Sequence, residues 1–401
     1  MDVRNYRTKT IMKEVCNPYF PDKWTIGIDV GYSAVKVYAP NKVFSFPTFA
    51  LESEIRDISL ITRNSGAIRY RNAHDIVYEV GGRAISIAND NEVYENETIM
   101  YGRQWYSNTT YQVCLEAALA LAIMSNNVRA YKGEPIYVAS GLPSKFISDQ
   151  EVLKALIEGH HSFDIVPPGE TEWKHFDFDI ASASIMEQPL GALWSSLYDD
   201  SAHLTSDAND LINSNILIFD AGFGTLDLFG IVDCGNKFTS THANCGMKEV
   251  YKLTVNDIKK QCGKEIPIPL LYKYLNDGKI TFLKLKNNGK GIKNINDHNN
   301  LVSTVQEFSD ILERNSRFIA ERAVSIASSE TDQLSNYKYV LLAGGSTAAW
   351  NQFLQTTFKE FGEHVIHAGR NNRNLDAIFS IVRGYYMNLL ALIKLETEAN
   401  K

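Results

Sequence analysis

The chain has 401 residues, 44% hydrophobic and 22% charged, with 47 acidic side chains against 40 basic ones and a net charge of −7. That composition describes a globular chain long enough for two to four domains, and 25 glycines with 11 prolines exclude collagenous or low-complexity character. The mild acidity argues against a dedicated nucleic-acid binder, which would be basic.

The longest strongly apolar run, Ala117 to Met124, falls short of the roughly 18 residues that span a bilayer, so no membrane segment is expected. Residues 1–14 are polar and show no secretory signal. Five cysteines, Cys16, Cys114, Cys234, Cys245 and Cys262, form no Cys-x-x-Cys pair, which fits a reducing cytoplasm.

In chain order, residues 1–22 precede the first strand and read as a disordered tail or a partner-binding peptide. Thr25 to Tyr38, TIGIDVGYSAVKVY, predicts a buried strand ending at Asp29, a tight turn at Gly31 and a returning strand. Val43 to Tyr101 is mixed, with a strand-like run at Asp75 to Val80 before a Gly81-Gly82 turn. Tyr111 to Ser125 predicts an apolar helix, Pro135 to Leu142 a strand, Ile147 to Glu158 a helix, Phe176 to Met186 a strand and Gln188 to Tyr198 a helix. Ile216 to Phe229, ILIFDAGFGTLDLF, then repeats the first hairpin without a gap. Lys273 to Asn300 is rich in Lys and Asn and reads as surface, with a flexible loop at Asn287 to Asn300. A long helix is expected over Leu301 to Ser328, a buried strand over Tyr337 to Ala343, and an apolar helix over Ala377 to Lys394. Alternating strands and helices in two related halves predict an α/β fold.

The repeat carries the chemistry. Each copy ends a buried strand in Asp (Asp29, Asp220), followed by Gly31 or Gly222, an aromatic (Tyr32, Phe223), small residues, and then Lys36 or Asp227. Glycine turns whose N–H groups converge form anion-binding nests, and two of them could grip a polyphosphate from either side. Lys36 could reach a phosphate as a point charge, and Asp29 and Asp220 suit a hydrated Mg²⁺, which takes few carboxylates. Read alone, each copy is equally an ordinary hairpin with a polar turn; turn chemistry does not explain the pair. The Gly344-Gly345-Ser346 cluster after a buried strand suits close approach to a nucleoside or phosphate, or simply a strand-to-helix turn. His364-x-x-His367, His160-His161 and six lysines between Lys273 and Lys293 are weaker, and read as solvated or core positions.

The order Asp29-x-Gly31, Asp220-x-Gly222-x-Gly224-Thr225-x-Asp227 and Gly344-Gly345-Ser346 resembles the phosphate-1, phosphate-2 and adenosine motifs of the actin, Hsp70 and sugar-kinase superfamily. Ser140-Gly141-Leu142-Pro143, Glu187-Gln188-Pro189-Leu190-Gly191-Ala192 and Val382-Arg383-Gly384-Tyr385-Tyr386 resemble the bacterial ParM-type plasmid-segregation actins within it. The resemblance implies an actin/Hsp70-type fold of two RNase H-like halves around a nucleotide cleft. The first half would span 23–187, with an inserted subdomain at about 41–101 and completion by the C-terminal helix 375–401. The second would span 188–374, with an insertion at about 246–328. ATP or GTP with Mg²⁺ would bind at Asp29, Gly31, Tyr32, Ser33, Lys36, Asp220, Gly222, Phe223, Gly224, Thr225, Asp227, Gly344, Gly345 and Ser346. Gln188, or Glu187 one position earlier, would position the attacking water; a helix N-terminal pair capping exposed amides is the plainer alternative.

Three activities share this resemblance: a filament-forming nucleotidase, a small-molecule kinase of the sugar type, and a nucleotide-gated chaperone. The chain ends at Lys401, soon after the last cleft helix, which leaves no stretch for a client-binding domain. Short insertions and the Gly-Leu-Pro and connection motifs favour the filament. By the same resemblance, DNA would be reached through a separate adaptor rather than by direct sequence-specific binding.

Overall fold

The computed structural model describes residues 3–8, 10–53, 67–88, 105–263, 265–285, 301–358, 364–372 and 375–399. Two sheets of one design carry the fold. In the first, β2 (Trp24–Val30), β3 (Ala34–Ala39) and β4 (Lys42–Pro47) form an antiparallel meander. On the other side of β2, β8 (Ile136–Leu142) and then β10 (Lys174–Glu187) add in parallel. In the second, β11 (Ile216–Ala221), β12 (Leu226–Val232) and β13 (Gly235–His242) repeat the meander, and β16 (Tyr339–Ala343) and β17 (Val365–His367) repeat the parallel additions. The orders β4-β3-β2-β8-β10 and β13-β12-β11-β16-β17 correspond strand for strand. The sequence repeat is therefore a repeat of architecture.

The first sheet extends to ten strands. At one edge β1 (Ile11–Glu14) pairs antiparallel with β4. At the other, β9 (Gly159–Val166), β6 (Ile68–Arg71), β7 (Val77–Val80) and β5 (Ala50–Glu52) follow β10. Within the stretch 41–101, β4 pairs with β3 as part of the meander, and the stretches 54–66 and 89–104 lie outside the described residues. In the second half, the region from Gly246 holds the helices Met247–Cys262, Ile268–Tyr274 and Ser309–Glu330 and the hairpin β14 (Lys279–Leu285) with β15 (Leu301–Glu307). The expected helix over Leu301 to Ser328 is thus corrected: its first seven residues are strand, and the helix starts at Ser309. Thr304 and Val305 are β-branched and favour the pleated partner over a helical turn. The expected loop Asn287 to Asn300 lies outside the described residues.

Each sheet has its own apolar core. The helix Thr109–Ile123 is buried nearly all round, as a helix without a polar face must be. Its last carbonyls are met by Lys42, whose ammonium donates to Leu121 O (2.9 Å) and Met124 O (2.6 Å). Burial pulls the Lys42 pKa down to about 8.

A third core joins the halves. The helix Gln188–Leu197 crosses the last helix, Ser380–Ala399, with Gly191 against Gly384. A Cβ at Gly191 would lie 2.7 Å from Ile381 O, and one at Gly384 would fall inside the Gly191 carbonyl. Arg383, wholly buried, donates to Ser195 O (2.7 Å), Tyr198 O (3.0 Å) and Asp199 O (2.7 Å), satisfying the carbonyls at the end of the first helix. Among the described residues, Ala377–Ala399 is long and apolar enough to cross a membrane by length and composition, which a search for uninterrupted apolar runs misses. Here Ile381 to Leu390 are all buried between the halves, so the segment serves as a core helix.

The N-terminal extension also differs from expectation. Val3–Tyr6 is a 3₁₀ turn whose Val3 and Tyr6 are buried in the second core, whereas β1 belongs to the first sheet.

Candidate functional site

The two hairpins close with the same bond. Gly31 N–H donates to Ala34 O (3.0 Å) and Gly222 N–H to Thr225 O (2.8 Å), so both turns have one backbone geometry. Thr48 braces the first, its hydroxyl donating to Gly31 O (2.7 Å). Met247–Cys262 begins against the second, with Met247 N–H on Gly222 O (3.3 Å) and Lys248 N–H on Phe223 O (2.8 Å). The turns face each other: a Cβ on Gly224 would come 2.9 Å from the Tyr32 ring. The third glycine turn closes the arrangement. Gly344 has φ +86° and lies so close to Ala221 O and Asp220 that no side chain fits, while Ser346 Oγ donates to Gly222 O (2.7 Å).

Register places Asp29 opposite Lys36 and Asp220 opposite Asp227. Lys36 Nζ lies 2.8 Å from Asp29 Oδ2, and Gln188 Nε2 donates to Asp29 Oδ1 at 3.4 Å. Asp227 is buried and accepts from Thr225 (2.7 Å) and Thr241 (2.6 Å). Burial, only partly offset by those hydroxyls, pushes its carboxyl up. Burial, followed by the nearby Asp227 charge, drives Asp220 to about 8 against the pull of Lys36. Burial and then Asp227 also raise the Tyr32 phenol to about 12. With Asp29 paired to Lys36 and Asp220 driven up to about 8, burial keeps the Asp220 carboxyl largely protonated at neutral pH, and a cation brought beside it would favour its ionised form.

All the expected nucleotide-binding residues, from Asp29, Gly31, Tyr32, Ser33 and Lys36 through Asp220, Gly222, Phe223, Gly224, Thr225 and Asp227 to Gly344, Gly345 and Ser346, line one cavity of about 350 Å³ between the halves. That size lies within the usual range for small-molecule sites, roughly 300–1,000 Å³. Gln188 lines it too. Glu187 does not: its carboxylate accepts from Ser144 (3.2 Å), and burial raises its pKa. The histidine pairs fall elsewhere. His160 faces Asp177 and Asp179, His161 is buried against Glu116 (3.2 Å), and His364 lies beside the Tyr339 ring.

The family of actin-like protein N-terminal domains matches residues 27–191. A filament-form ParM from Clostridium botulinum superposes with a TM-score of 0.65 at 18% identity, over 91% of this chain and 98% of that one. The chain has the actin-like fold. It resembles the ParM type, and an archaeal actin homologue in complex with ADP is similar to it with a TM-score of 0.59 at 13% identity, over 90% of this chain and 97% of that one. Among curated proteins none matches the chain by sequence.

Sequence reasoning missed several walls of this actin-like cleft. Trp105, Pro143, Met247 and Asp376 to Ile378 line the cavity, and Thr48 and Thr241 support it from behind. None of these stands in the repeat, and single Thr or Trp residues carry no pattern to find. Asn5, Tyr6, Arg7, Thr8 and Ile11 of the N-terminal extension also line it.

Proposed function

We propose that the chain is a nucleotide-hydrolysing protein that assembles into filaments when ATP or GTP with Mg²⁺ is bound, and that a separate DNA-binding adaptor links the filament to plasmid cargo in segregation. The carrying observation is the convergence of two matched glycine turns, a third glycine turn without room for a side chain, and the Asp29, Asp220, Asp227 and Lys36 charges on one cavity. Relatives in fold described as a filament and as an ADP complex support the same reading.

Asp29 and Asp220 would hold Mg²⁺ through its waters, and the ion would supply charge neutralisation on the phosphates. The chain's own groups do the rest. Backbone N–H groups of the two hairpin turns cradle phosphate oxygens. Lys36, now paired with Asp29, presents a positive charge to them. Gln188 has its amide nitrogen committed to Asp29, which leaves Oε1 to accept a hydrogen from water and hold it in line with the terminal phosphorus. The water oxygen bonds to that phosphorus, the bond to the bridging oxygen breaks, and a nucleoside diphosphate and phosphate leave. Gln188→Ala should slow steady-state phosphate release about a hundredfold while nucleotide affinity changes little, because water is positioned only for the reaction. Glu187→Ala should retain near-normal turnover; if the two phenotypes are exchanged, Glu187 is the positioning group.

Phosphates held by a turn from each half draw the halves together, and surfaces matched only in the closed state then join head to tail, a contact that propagates without closing. Right-angle light scattering tests the function. ATP with Mg²⁺ should raise it above a critical protein concentration, and a gel shift with plasmid DNA should show no sequence-specific retardation by the protein alone. A sugar-dependent ATPase with no scattering at any concentration would overturn the filament reading in favour of a kinase.

A further inference from the structure

The N-terminal extension makes a third covalent crossing between the halves, besides those at Gln188 and at the last helix. On the second half, the Val3–Tyr6 turn packs against the helix Gly345–Thr357, which starts at the third glycine turn. Tyr6 donates its hydroxyl to Ser316 Oγ (2.9 Å), while the hydroxyls of Tyr251 and Tyr272 donate to the carbonyls of Tyr6 and Thr8. Arg7 lies over the Tyr272 ring, 4.9 Å from its centre, and donates to Asn276. A few residues later the chain has reached the first half, where Ile11 pairs with Ser45 and Glu14 with Lys42. Between these anchors Asn5, Tyr6, Arg7, Thr8 and Ile11 form a wall of the cavity. Arg7 Nε is buried and has no hydrogen-bond partner among the described residues. Nε is thus shielded even from the cavity, but Arg7 as a whole is only partly buried and lines it, so the outer N–H groups of the guanidinium, which can only donate, are the ones a ligand acceptor could meet.

We propose that this segment is a strap over the nucleoside end of the cleft: Asn5 to Thr8 wall the base and ribose beside the Gly345–Thr357 helix, the Arg7 guanidinium donates to an acceptor on the nucleoside, and the strap must yield before nucleotide leaves. The inference rests on the nucleotide reading above. Its physical content is kinetic as well as geometric. Two connections between the halves leave the cleft freer to open than three, and a third that walls the cavity restrains that opening. Release is therefore slowed by whatever it takes to undock Tyr6 and Arg7 from the tyrosines that hold them, and the ligand's own contacts with the strap add to that restraint.

The test uses the full chain, a variant lacking residues 1–8, and Arg7→Ala, with MgADP as the probe. Affinity is read by calorimetry and release by rapid filtration of radiolabelled ADP into excess unlabelled ADP. Deletion should speed release about tenfold or more, and Arg7→Ala should weaken binding about tenfold, the size of one hydrogen bond to a charged group. Arg7→Lys should not restore the affinity, since it returns the charge without the planar guanidinium donors; full restoration would overturn the role given to the guanidinium. If the deletion variant does not fold, the two Arg7 variants still decide. ADP binding by the full chain with release and affinity within twofold in the variants overturns the strap and leaves the nucleotide site standing. Absence of any ADP binding by the full chain overturns the nucleotide reading, and the strap's role with it.

Discussion

Asp220→Asn is expected to stabilise the ligand-free protein at alkaline pH and to abolish divalent-dependent nucleotide hydrolysis. The Asp220 carboxyl is buried beside Asp227 and Asp29 and is raised to about 8, far above the value near 4 that an unfolded chain would give it. The folded state therefore binds a proton that the unfolded state has lost, and stability falls as pH rises through that interval. The contribution is complete below about pH 4 and is lost as pH rises through about 8. Asparagine cannot ionise and escapes the loss. Urea unfolding in EDTA should show the variant more stable than wild type at pH 8.5 by on the order of a few kcal/mol, with the difference shrinking towards pH 4. Phosphate release with ATP and Mg²⁺ should fall at least about a hundredfold, because the same carboxylate is the one that would face the hydrated ion. Unchanged turnover sinks the site; a pH-independent stability difference sinks the buried charge cluster.

Gly384→Ala should be among the most damaging single-methyl additions in the chain. Alanine is the better helix former by about 1 kcal/mol, so propensity alone predicts a gain in the helix Ser380–Ala399. The added Cβ would, however, fall inside the Gly191 carbonyl, a backbone group that cannot rotate away. Forcing the helices apart also pulls the buried Arg383 from the carbonyls it caps. Overpacking of this kind costs about 1–3 kcal/mol, and lost hydrogen bonds to a buried charge add to it. A net loss of about 2 kcal/mol or more is expected in chemical denaturation. Stability equal to or above wild type would mean that the close crossing does not exist in solution.

How much of this was legible in the sequence depends on pattern length. The hairpins were readable because a gapless repeat links Asp29 to Asp220 and Gly31 to Gly222, and no accident of composition explains both. Their superposition on one strand order follows from the same repeat. The misreading of Leu301 to Glu307 as helix arose because a short alternating run joined directly to a long helical pattern, and its partner β14 lies across a Lys- and Asn-rich stretch with no period of its own. Tertiary pairing, not local preference, decided it. The N-terminal extension was opaque for a similar reason. Val3 and Tyr6 are two apolar residues among polar ones, too few to make a period, and their burial depends on tyrosines more than two hundred residues away. Gln188 and Glu187 are adjacent and chemically close, so only the direction each side chain takes could separate them.

The matched sheets bring two turns of one design to one cavity, and such a pair by itself has no preferred direction. A phosphate chain gripped by two identical turns could lie either way round. The exchange of Lys36 for Asp227 at corresponding positions removes that ambiguity: one turn presents a cation, the other a carboxylate held by two threonines. The ends of the site thus become inequivalent, and a ligand that carries its charge at one end and its ring at the other can enter in a single sense. Head-to-tail stacking of such subunits would carry that sense forward, so that a filament's polarity would begin in one side chain that differs between two otherwise equivalent hairpins.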